Sequence, residues 1–456
     1  MRAGIHPVRI GKSRKVHGFA EPANVEEDSW NIGSPPRWTG GPMNMTDGAT
    51  CRCVVHLSIL TTLSHRPRFI RMPSSLTLTR DPARVREQIA TRLVFFIAGF
   101  ATAAWAPLVP LARERLGLDE GSLGLLLLCL GLGSITAMPV TGILTTRIGC
   151  KAVICASVLM ILLTLPLLAA LDGWVAMALA IAVFGAALGT VDVAMNLQAI
   201  LVERSSGKPM MSGFHGLFSV GGIAGAGLMS LMLGSGMIDP VLSAGLVSAA
   251  SLVLLVIAMP GLLPYGDDGP TAPLLVWPKG MVLFIGLLCF LCFLVEGAVL
   301  DWSAVFLIAE RGSEVGLAGL GYAAFALAMT LGRLMGDRLR TALGEQRVLI
   351  AGGVMAAAGF LVIVLVPSAP VNLIGFLLVG AGASNVVPVL FSAAGRTRAM
   401  PPSLAVTAVT TLGYLGILAG PALIGFIAHL SDLRMAFALL VGAMLFIAAS
   451  FRVGKP

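Results

Sequence analysis

Long apolar stretches separated by short polar connections fill most of this 456-residue chain, from about residue 87 onward. A helix that crosses a membrane needs about 20 mainly apolar residues, because each residue advances 1.5 Å through hydrocarbon about 30 Å thick. We therefore predict an all-α membrane protein with twelve transmembrane helices. The predicted helices are Ala90 to Leu111, Leu123 to Thr145, Ala152 to Leu171, Trp174 to Leu197, Phe214 to Leu233, Pro240 to Met259, Met281 to Phe306, Leu317 to Met335, Val348 to Val366, Val371 to Ala393, Ala405 to His429, and Ala436 to Phe451.

The composition supports a membrane protein and argues against a nucleic-acid partner. Hydrophobic residues make up 57% of the chain and charged residues 12%, whereas a soluble domain has about 25% charged residues. The net charge is +8, but residues 1–86 hold 13 basic and 6 acidic residues, so +7 of it lies there. A basic segment beside a membrane domain is typical of a cytosolic flank.

The basic residues of the loops predict how the chain is oriented. Twelve lysines and arginines fall in the loops after even-numbered helices and in the C-terminal tail, against four on the opposite side. Because cytoplasmic loops are enriched in basic residues, we expect both termini in the cytoplasm.

Residues 1–86 differ from the rest of the chain. They are rich in Arg, Pro, Gly, Ser and Thr and lack an apolar run long enough to span a membrane, so we predict a disordered basic extension. Met72 opens a short polar lead into the first helix. We interpret Met72 as the true start and residues 1–71 as a mis-assigned extension; the alternative is a cytosolic regulatory tail.

The two halves of the apolar region correspond at an offset near 195 residues. Six helices per half is an even number, so both halves insert with the same orientation, as two parallel six-helix bundles with a binding site between them. We assign 87–260 to the N-terminal bundle, 261–280 to a central cytoplasmic loop and 281–456 to the C-terminal bundle. The matched positions are Trp105 with Trp302, Gly185 with Gly380, Gly221 with Gly416, and Gly225 with Gly420.

The loop after the second predicted helix carries a recognisable motif. Gly142, Arg147, Gly149 and Lys151 match the signature of the major facilitator superfamily at this loop, with Thr146 in the acidic position. We expect a second copy from Gly332 to Arg340, which retains Asp337 and Arg338.

With the strings Asp192-Val-Ala-Met-Asn196, Phe214-His215-Gly216 and Glu296-Gly-Ala-Val-Leu-Asp301-Trp302, the chain resembles that superfamily over residues 87–452. It is most similar to the bacterial inner-membrane branch near the fucose-permease-like group, whose substrates are mostly unassigned, and this resemblance implies a multi-pass protein of the inner membrane. The resemblance implies that both motif copies act as a cytoplasmic gate. Arg333, one turn before Asp337 and near a helix end, is predicted to form a gate element with it; the alternative is a substrate ligand.

Ionisable side chains inside predicted helices are the candidates for coupling and substrate contact, because they are costly in hydrocarbon. Glu296 is the first candidate, since a carboxylate in hydrocarbon can take up and release a proton. Asp192 lies on one helix face with Asn196, and its alternative is a pairing role near the gate. Asp301 is a further candidate or an outer-end partner of an arginine, and His215 a proton relay or a helix-end residue.

Three neutral side chains complete the predicted cavity. Trp105 and Trp302 are expected either to stack on a ring-bearing solute or to lie in the aromatic belt of the membrane interface. Asn385 is expected to offer an amide to the cavity. With acids, amides and tryptophans, and Arg333 assigned to the periphery, the sequence favours a polar neutral or cationic solute.

These features predict a secondary active transporter of a small solute, coupled to protons and working by alternating access. Two alternatives remain open: a drug or metabolite exporter of the same fold, and a non-transporting sensor or scaffold. The sequence contains no GxxxxGK[ST] motif, and its loops between predicted helices are too short for a catalytic domain, so we expect no enzyme. We expect no cofactor or metal, and a monomer in the bilayer.

Overall fold

A computed structural model describes residues 82–450, except 119, 267–276, 315–316, 318 and 399. The predicted extension therefore lies outside the described residues, apart from 82–86, and so does the choice of Met72 as the start. The first helix is described from Pro82, eight residues before the predicted Ala90. The described residues are mostly helical and include no β-strand.

Thirteen α-helices are described, and two short 3₁₀ turns lie at Ala106–Leu108 and Met259–Gly261. In chain order the helices are α1 Pro82–Ala104, α2 Val109–Leu116, α3 Glu120–Ala170, α4 Trp174–Ser206, α5 Met211–Gly234, α6 Pro240–Ala258, α7 Met281–Arg311, α8 Leu320–Leu343, α9 Glu345–Leu365, α10 Ala369–Ala383, α11 Val386–Arg396, α12 Pro402–Leu430 and α13 Leu433–Ala449. We call α1–α6 the N-terminal half and α7–α13 the C-terminal half.

Nine helical segments in the described part of the chain are long and apolar enough to cross a membrane. They are Arg84–Leu116, Ser122–Ala170, Trp174–Ser206, Met211–Gly234, Pro240–Gly261, Met281–Arg311, Glu345–Leu365, Ala369–Arg396 and Pro402–Leu430. Helix α8 is outside this set, and α13 has only 17 residues. Helix α3 has 51 residues, about 75 Å at the α-helical rise, and its backbone leaves the helical region at Gly149.

Gly149 and Gly344 adopt the same unusual backbone conformation, each with φ of 81°. A positive φ is readily accessible to glycine and costly for other residues. The two glycines lie 195 residues apart, so they mark equivalent breaks, one within α3 and one between α8 and α9. The predicted second motif copy, Gly332 to Arg340, was therefore placed in the wrong register, because at this offset Asp337 corresponds to Gly142.

The matched glycines make equivalent contacts in the two halves. A Cβ atom on Gly185 would collide with the carbonyl oxygen of Leu130, and one on Gly380 with that of Phe325. Both pairs differ by 195 residues. Glycine thus lets α4 approach α3 in one half as closely as α10 approaches α8 in the other.

Two arginines also occupy matching positions. Arg115 donates to the carbonyl of Leu168 at 2.9 Å, and Arg311 donates to that of Ile363 at 2.7 Å. Both acceptors belong to the last turn of a helix, where carbonyl groups have no partner within the helix. The sequence repeat is therefore also a repeat of polar contacts.

Candidate functional site

Glu296 of α7 and Arg333 of α8 form an ion pair in the interior of the C-terminal half. One Nη atom of Arg333 lies 3.3 Å and 3.5 Å from the two carboxylate oxygens of Glu296. The exposed fractions of the side chains are 18% for Glu296 and 9% for Arg333. A buried ion pair depends strongly on both partners, since removing one leaves an uncompensated charge.

Arg333 also connects the two halves of the chain. Its other Nη atom donates to the Oγ atom of Ser219 on α5 at 3.0 Å. The predicted pairing of Arg333 with Asp337 is wrong, because Arg333 lies against α7 and α5 while Asp337 lies one turn further on, against the beginning of α5.

Asp337 closes the N-terminal end of α5 from the opposite half. Its two carboxylate oxygens accept hydrogen bonds from the backbone N–H groups of Ser212, at 3.0 Å, and Gly213, at 2.8 Å. These N–H groups belong to the first turn of the helix, where they have no acceptor within α5 and favour an anion.

A second carboxylate holds the preceding residues of the same helix end. Glu203, at the end of α4, accepts from the backbone N–H groups of Met210 at 2.7 Å and Met211 at 2.8 Å. Arg340 of α8 donates to Glu203 at 3.2 Å and lies 3.7 Å from Asp337. The side chain of Arg340 is fully buried, so its charge depends on these carboxylates.

Two further side chains complete this cluster, which we call the latch. Arg340 donates to Glu345 at 2.7 Å and to Ser392 at 2.8 Å, and Ser392 donates to Glu203 at 2.6 Å. The latch consists of Glu203, Asp337, Arg340, Glu345 and Ser392. Its contacts join α4 and α5 to α8 and α11, so this end of the molecule is closed between the halves.

Arg340 lies at the end of the predicted second motif copy, whereas Glu203, Ser219, Glu345 and Ser392 were not predicted from the sequence. One signal was available for Glu203. A carboxylate near the C-terminal end of a helix opposes the helix dipole, so it implies a compensating partner from elsewhere.

Asp192 and Asn196 meet on one face of α4, as their spacing predicted. The Asn196 amide donates to the Asp192 carboxylate at 3.1 Å and to its backbone carbonyl at 2.9 Å. The Asn196 side-chain oxygen is buried and has no partner among the described residues.

His215 lies between the two halves. Its ring centroid is 5.3 Å from Phe95 of α1 and 5.7 Å from Phe391 of α11. Its Nε2 atom is buried without a hydrogen-bond partner in the described part of the chain. Arg333 and Arg340 lie within electrostatic range of the ring, and no described contact joins it to a carboxylate.

Trp105 and Trp302 occupy matching positions in the two halves, but the hydrogen bonding of their indole N–H groups differs. Trp302 donates to the carbonyl of Pro421 on α12 at 3.2 Å, so its N–H group is engaged within the C-terminal half. Trp105 is 5% exposed, and its N–H group has no partner among the residues described. Asp301, next to Trp302, is exposed.

Asn385 lies at the break between α10 and α11. Its amide donates to the carbonyl of Gly332 at 3.0 Å and to Ser384 at 2.9 Å. Its side-chain oxygen lies over Gly336, where a Cβ atom would collide with it. These contacts hold the broken helix against α8, so the amide donor predicted to face the cavity is used between helices.

The loop that carries the first motif copy, with Gly142, Arg147, Gly149 and Lys151, packs against other residues than those of the latch. Gly142 packs directly against Thr407 of α12, and the kink at Gly149 is covered by Pro264. Lys151 donates its backbone N–H to the carbonyl of Leu263 at 2.8 Å. Arg147 and Arg338, the remaining residues predicted for the gate, are exposed.

Comparison with known proteins agrees with this architecture. Residues 93–399 match the family described as the Major Facilitator Superfamily. An uncharacterized MFS-type transporter of Yersinia pestis is 53% identical over 368 residues, which cover 81% of this chain and 96% of that protein. The membrane protein MosC of Rhizobium meliloti is 31% identical, over 82% of this chain and 93% of its own length.

Solved structures show the same fold. The E. coli fucose:proton symporter FucP superposes with a TM-score of 0.71 at 17% sequence identity. The match covers 82% of this chain and all of the FucP chain.

Proposed function

Because the chain belongs to the major facilitator superfamily and is a multi-pass membrane transporter, not an enzyme, we propose that it moves a small solute by proton-coupled alternating access. We further propose twelve transmembrane helices in two parallel six-helix bundles, residues 87–260 and 281–456, joined by the loop 261–280. Both termini would then lie in the cytoplasm, with the protein a monomer in the inner membrane.

The break at Gly149 supports this helix count. At about 75 Å, α3 is more than twice as long as the hydrocarbon is thick, so it accounts for two crossings divided at Gly149. With α3 counted as two crossings, the nine apolar segments give ten crossings. Helices α8 and α13 supply the remaining two. The repeated contacts of Gly185 and Gly380 support the division into two equivalent bundles.

The ion pair of Glu296 with Arg333 is the observation that carries proton coupling. A carboxylate that couples transport to protons needs an environment in which its negative charge is costly. It also needs a partner whose interactions change when the carboxylate is protonated. Glu296 has both, since Arg333 holds its carboxylate and also reaches Ser219 in the other half. We assign Glu296 as the proton carrier and Asp192, with Asn196, as the facing polar group of the N-terminal half.

The latch supports alternating access. Opening the molecule at that end requires Asp337 to leave the N–H groups of α5 and Arg340 to leave Glu203. Those contacts would be remade when the cavity opens to the other side. Since the latch lies on the side assigned to the cytoplasm, the described conformation is closed there.

The exporter and the non-transporting scaffold remain the alternatives, and one experiment separates them from the proposal. Proteoliposomes containing a pH-sensitive dye are exposed to gradients of sugars, polyols, nucleosides, amines and monocarboxylates. We expect at least one solute to drive proton movement with the wild type, and Glu296→Gln to abolish it. Glu314→Gln, which alters an exposed carboxylate just after α7, is the matched control and should behave as wild type.

The direction of proton movement identifies the mode of transport. Protons that accompany the solute indicate a symporter, whereas protons that move against it indicate the exporter. Solute flux that is the same in wild type and Glu296→Gln would contradict coupling through Glu296. No flux for any solute would favour the scaffold.

A further inference from the structure

The guanidinium group of Arg333 has unused hydrogen-bonding capacity. Its two Nη atoms contact Glu296 and Ser219, whereas its Nε–H group is buried and makes no hydrogen bond with the described residues. Guanidinium offers five N–H donors in a plane and can hold a carboxylate through two parallel hydrogen bonds. Arg333 can therefore accept a second anionic group in place of, or beside, Glu296.

The charge of Arg333 is balanced by Glu296 within the described contacts. Protonation of Glu296 removes that balance and leaves a buried cation, which is unfavourable unless another anion replaces the carboxylate. An anion bound at Arg333 in turn displaces Glu296 and favours its neutral form. Proton uptake and anion binding therefore promote each other, as thermodynamic linkage requires.

Solutes of other charge do not couple in this way. A neutral solute brings no charge that could replace the Glu296 carboxylate at Arg333, so it cannot compensate the buried cation when Glu296 is protonated. A cation would bind Glu296 in competition with the proton and would produce exchange. Among the three classes, an anion is the one whose own charge compensates Arg333 when Glu296 is protonated, which favours symport.

The other groups around Glu296 are uncharged in their ordinary forms. Tyr322 of α8 lies within electrostatic range of Glu296 and Arg333. Cys289 and Cys292, on α7 itself, lie within electrostatic range of Glu296. The Cys292 thiol is 3.8 Å from the Glu296 carboxylate. From α12, α11, α10 and α13, which also pack on α7, no described contact brings a charged side chain to Glu296.

We infer that the transported solute is a small monocarboxylate, whose carboxylate binds Arg333 while Glu296 carries the proton. The proton is taken from the aqueous side to which the cavity is open and is released on the opposite side, after which Glu296 pairs with Arg333 again. This inference rests on the proposed function. It replaces the neutral or cationic solute favoured by the sequence, because that expectation treated Arg333 as a peripheral residue.

Binding to the purified full-length protein tests this inference independently of transport. Three carboxylates are each compared with an uncharged analogue by calorimetry: gluconate with sorbitol, benzoate with benzamide, and lactate with 1,2-propanediol. Ethanolamine serves as the cation. We expect at least one carboxylate to bind more tightly than its analogue, and its affinity for wild type to rise as the pH falls toward the range where the solute itself is protonated.

Two variants sharpen the test. Glu296→Gln mimics the protonated carboxyl group, so it should bind the carboxylate about tenfold more tightly near neutral pH and lose the pH dependence. Arg333→Gln should lose the preference for the carboxylate over its analogue, and Glu314→Gln should match wild type. Thermal unfolding of each variant checks folding, and Glu296→Gln alone decides the question if Arg333→Gln is unstable.

Three results would overturn the inference: equal affinity for carboxylates and analogues, no tightening in Glu296→Gln, or no binding of any of the three carboxylates to either protein. Failure of this inference can be distinguished from failure of the proposed function. Proton-coupled flux of a neutral solute without carboxylate binding would reject the inference and retain the transporter. Carboxylate binding without flux in liposomes would reject the transporter and retain the site.

Discussion

Arg340 of α8 and Glu203 of α4 form an ion pair of 3.2 Å that joins the two halves of the chain. Around it, four successive backbone N–H groups at the start of α5 are held by two carboxylates. Glu203 belongs to the same half as α5, whereas Asp337 belongs to the other half. Separation of the halves at this end therefore breaks the contacts of Asp337 with α5 and of Arg340 with Glu203, and leaves the contacts of Glu203 with α5 in place.

Replacement of Asp337 with Asn should open this end of the molecule more often. The amide keeps one acceptor but loses the charge that α5 favours, and the loss of a helix cap costs about 1 kcal/mol. We expect a several-fold faster reaction of a thiol reagent with a cysteine introduced at Thr407, which is 7% exposed and packs on Gly142. Peptide mass spectrometry measures the labelling at that position.

Asp239→Asn provides the matched control for this experiment. Asp239 also caps a helix, accepting from Val241 and Leu242, but it does so within the N-terminal half. It should lower stability slightly without changing the labelling at position 407. Equal labelling in the Asp337 variant and wild type would contradict the latch.

Replacement of Gly149 with Ala should destabilise the protein more than replacement of Gly344. Both positions have positive φ, so alanine costs about 1 kcal/mol or more at either. Only at Gly149 would the new Cβ also collide with a backbone oxygen, that of Pro264, whereas Gly344 has open space. Thermal unfolding in detergent measures the difference, and equal losses would show that the kink at Gly149 is not covered as described.

Replacement of Gly185 or Gly380 with Ala should destabilise the two halves by similar amounts. Each Cβ would push apart two helices at equivalent backbone contacts, and such overpacking costs about 1–3 kcal/mol. Gly227→Ala, on the open side of α5, is the control and should be neutral or slightly stabilising. A large loss at one of the two matched glycines and none at the other would argue against equivalent halves.

Hydrophobic pattern was sufficient to predict where several helices begin. Helices α4, α6 and α7 begin at Trp174, Pro240 and Met281, as predicted. Their ends were less predictable, because α4 continues nine residues beyond the predicted Leu197. Those residues include Glu203, whose contacts with α5 and α8 stabilise a helical segment that apolar content alone does not indicate.

The candidate site was predictable within one helix and not between helices. Asp192 and Asn196 are four residues apart, so helical periodicity alone places them together. Glu296 and Arg333 lie on different helices, and Glu203 and Arg340 on different halves. Which carboxylate faces which arginine depends on helix packing, which the spacing along one helix does not reveal. Spacing alone therefore pairs Arg333 with Asp337 and not with Glu296.

Comparison of exchange with accumulation in the Glu296→Gln variant tests the central claim most directly. In proteoliposomes, a radiolabelled solute identified by the proton-movement screen is measured first in exchange for unlabelled solute and then in uptake driven by a pH gradient. Exchange of labelled for unlabelled solute needs no net release of the proton, whereas accumulation driven by a pH gradient does. We therefore predict that Glu296→Gln retains exchange and loses accumulation. Glu314→Gln should retain both. Accumulation by Glu296→Gln at the wild-type level would contradict the account.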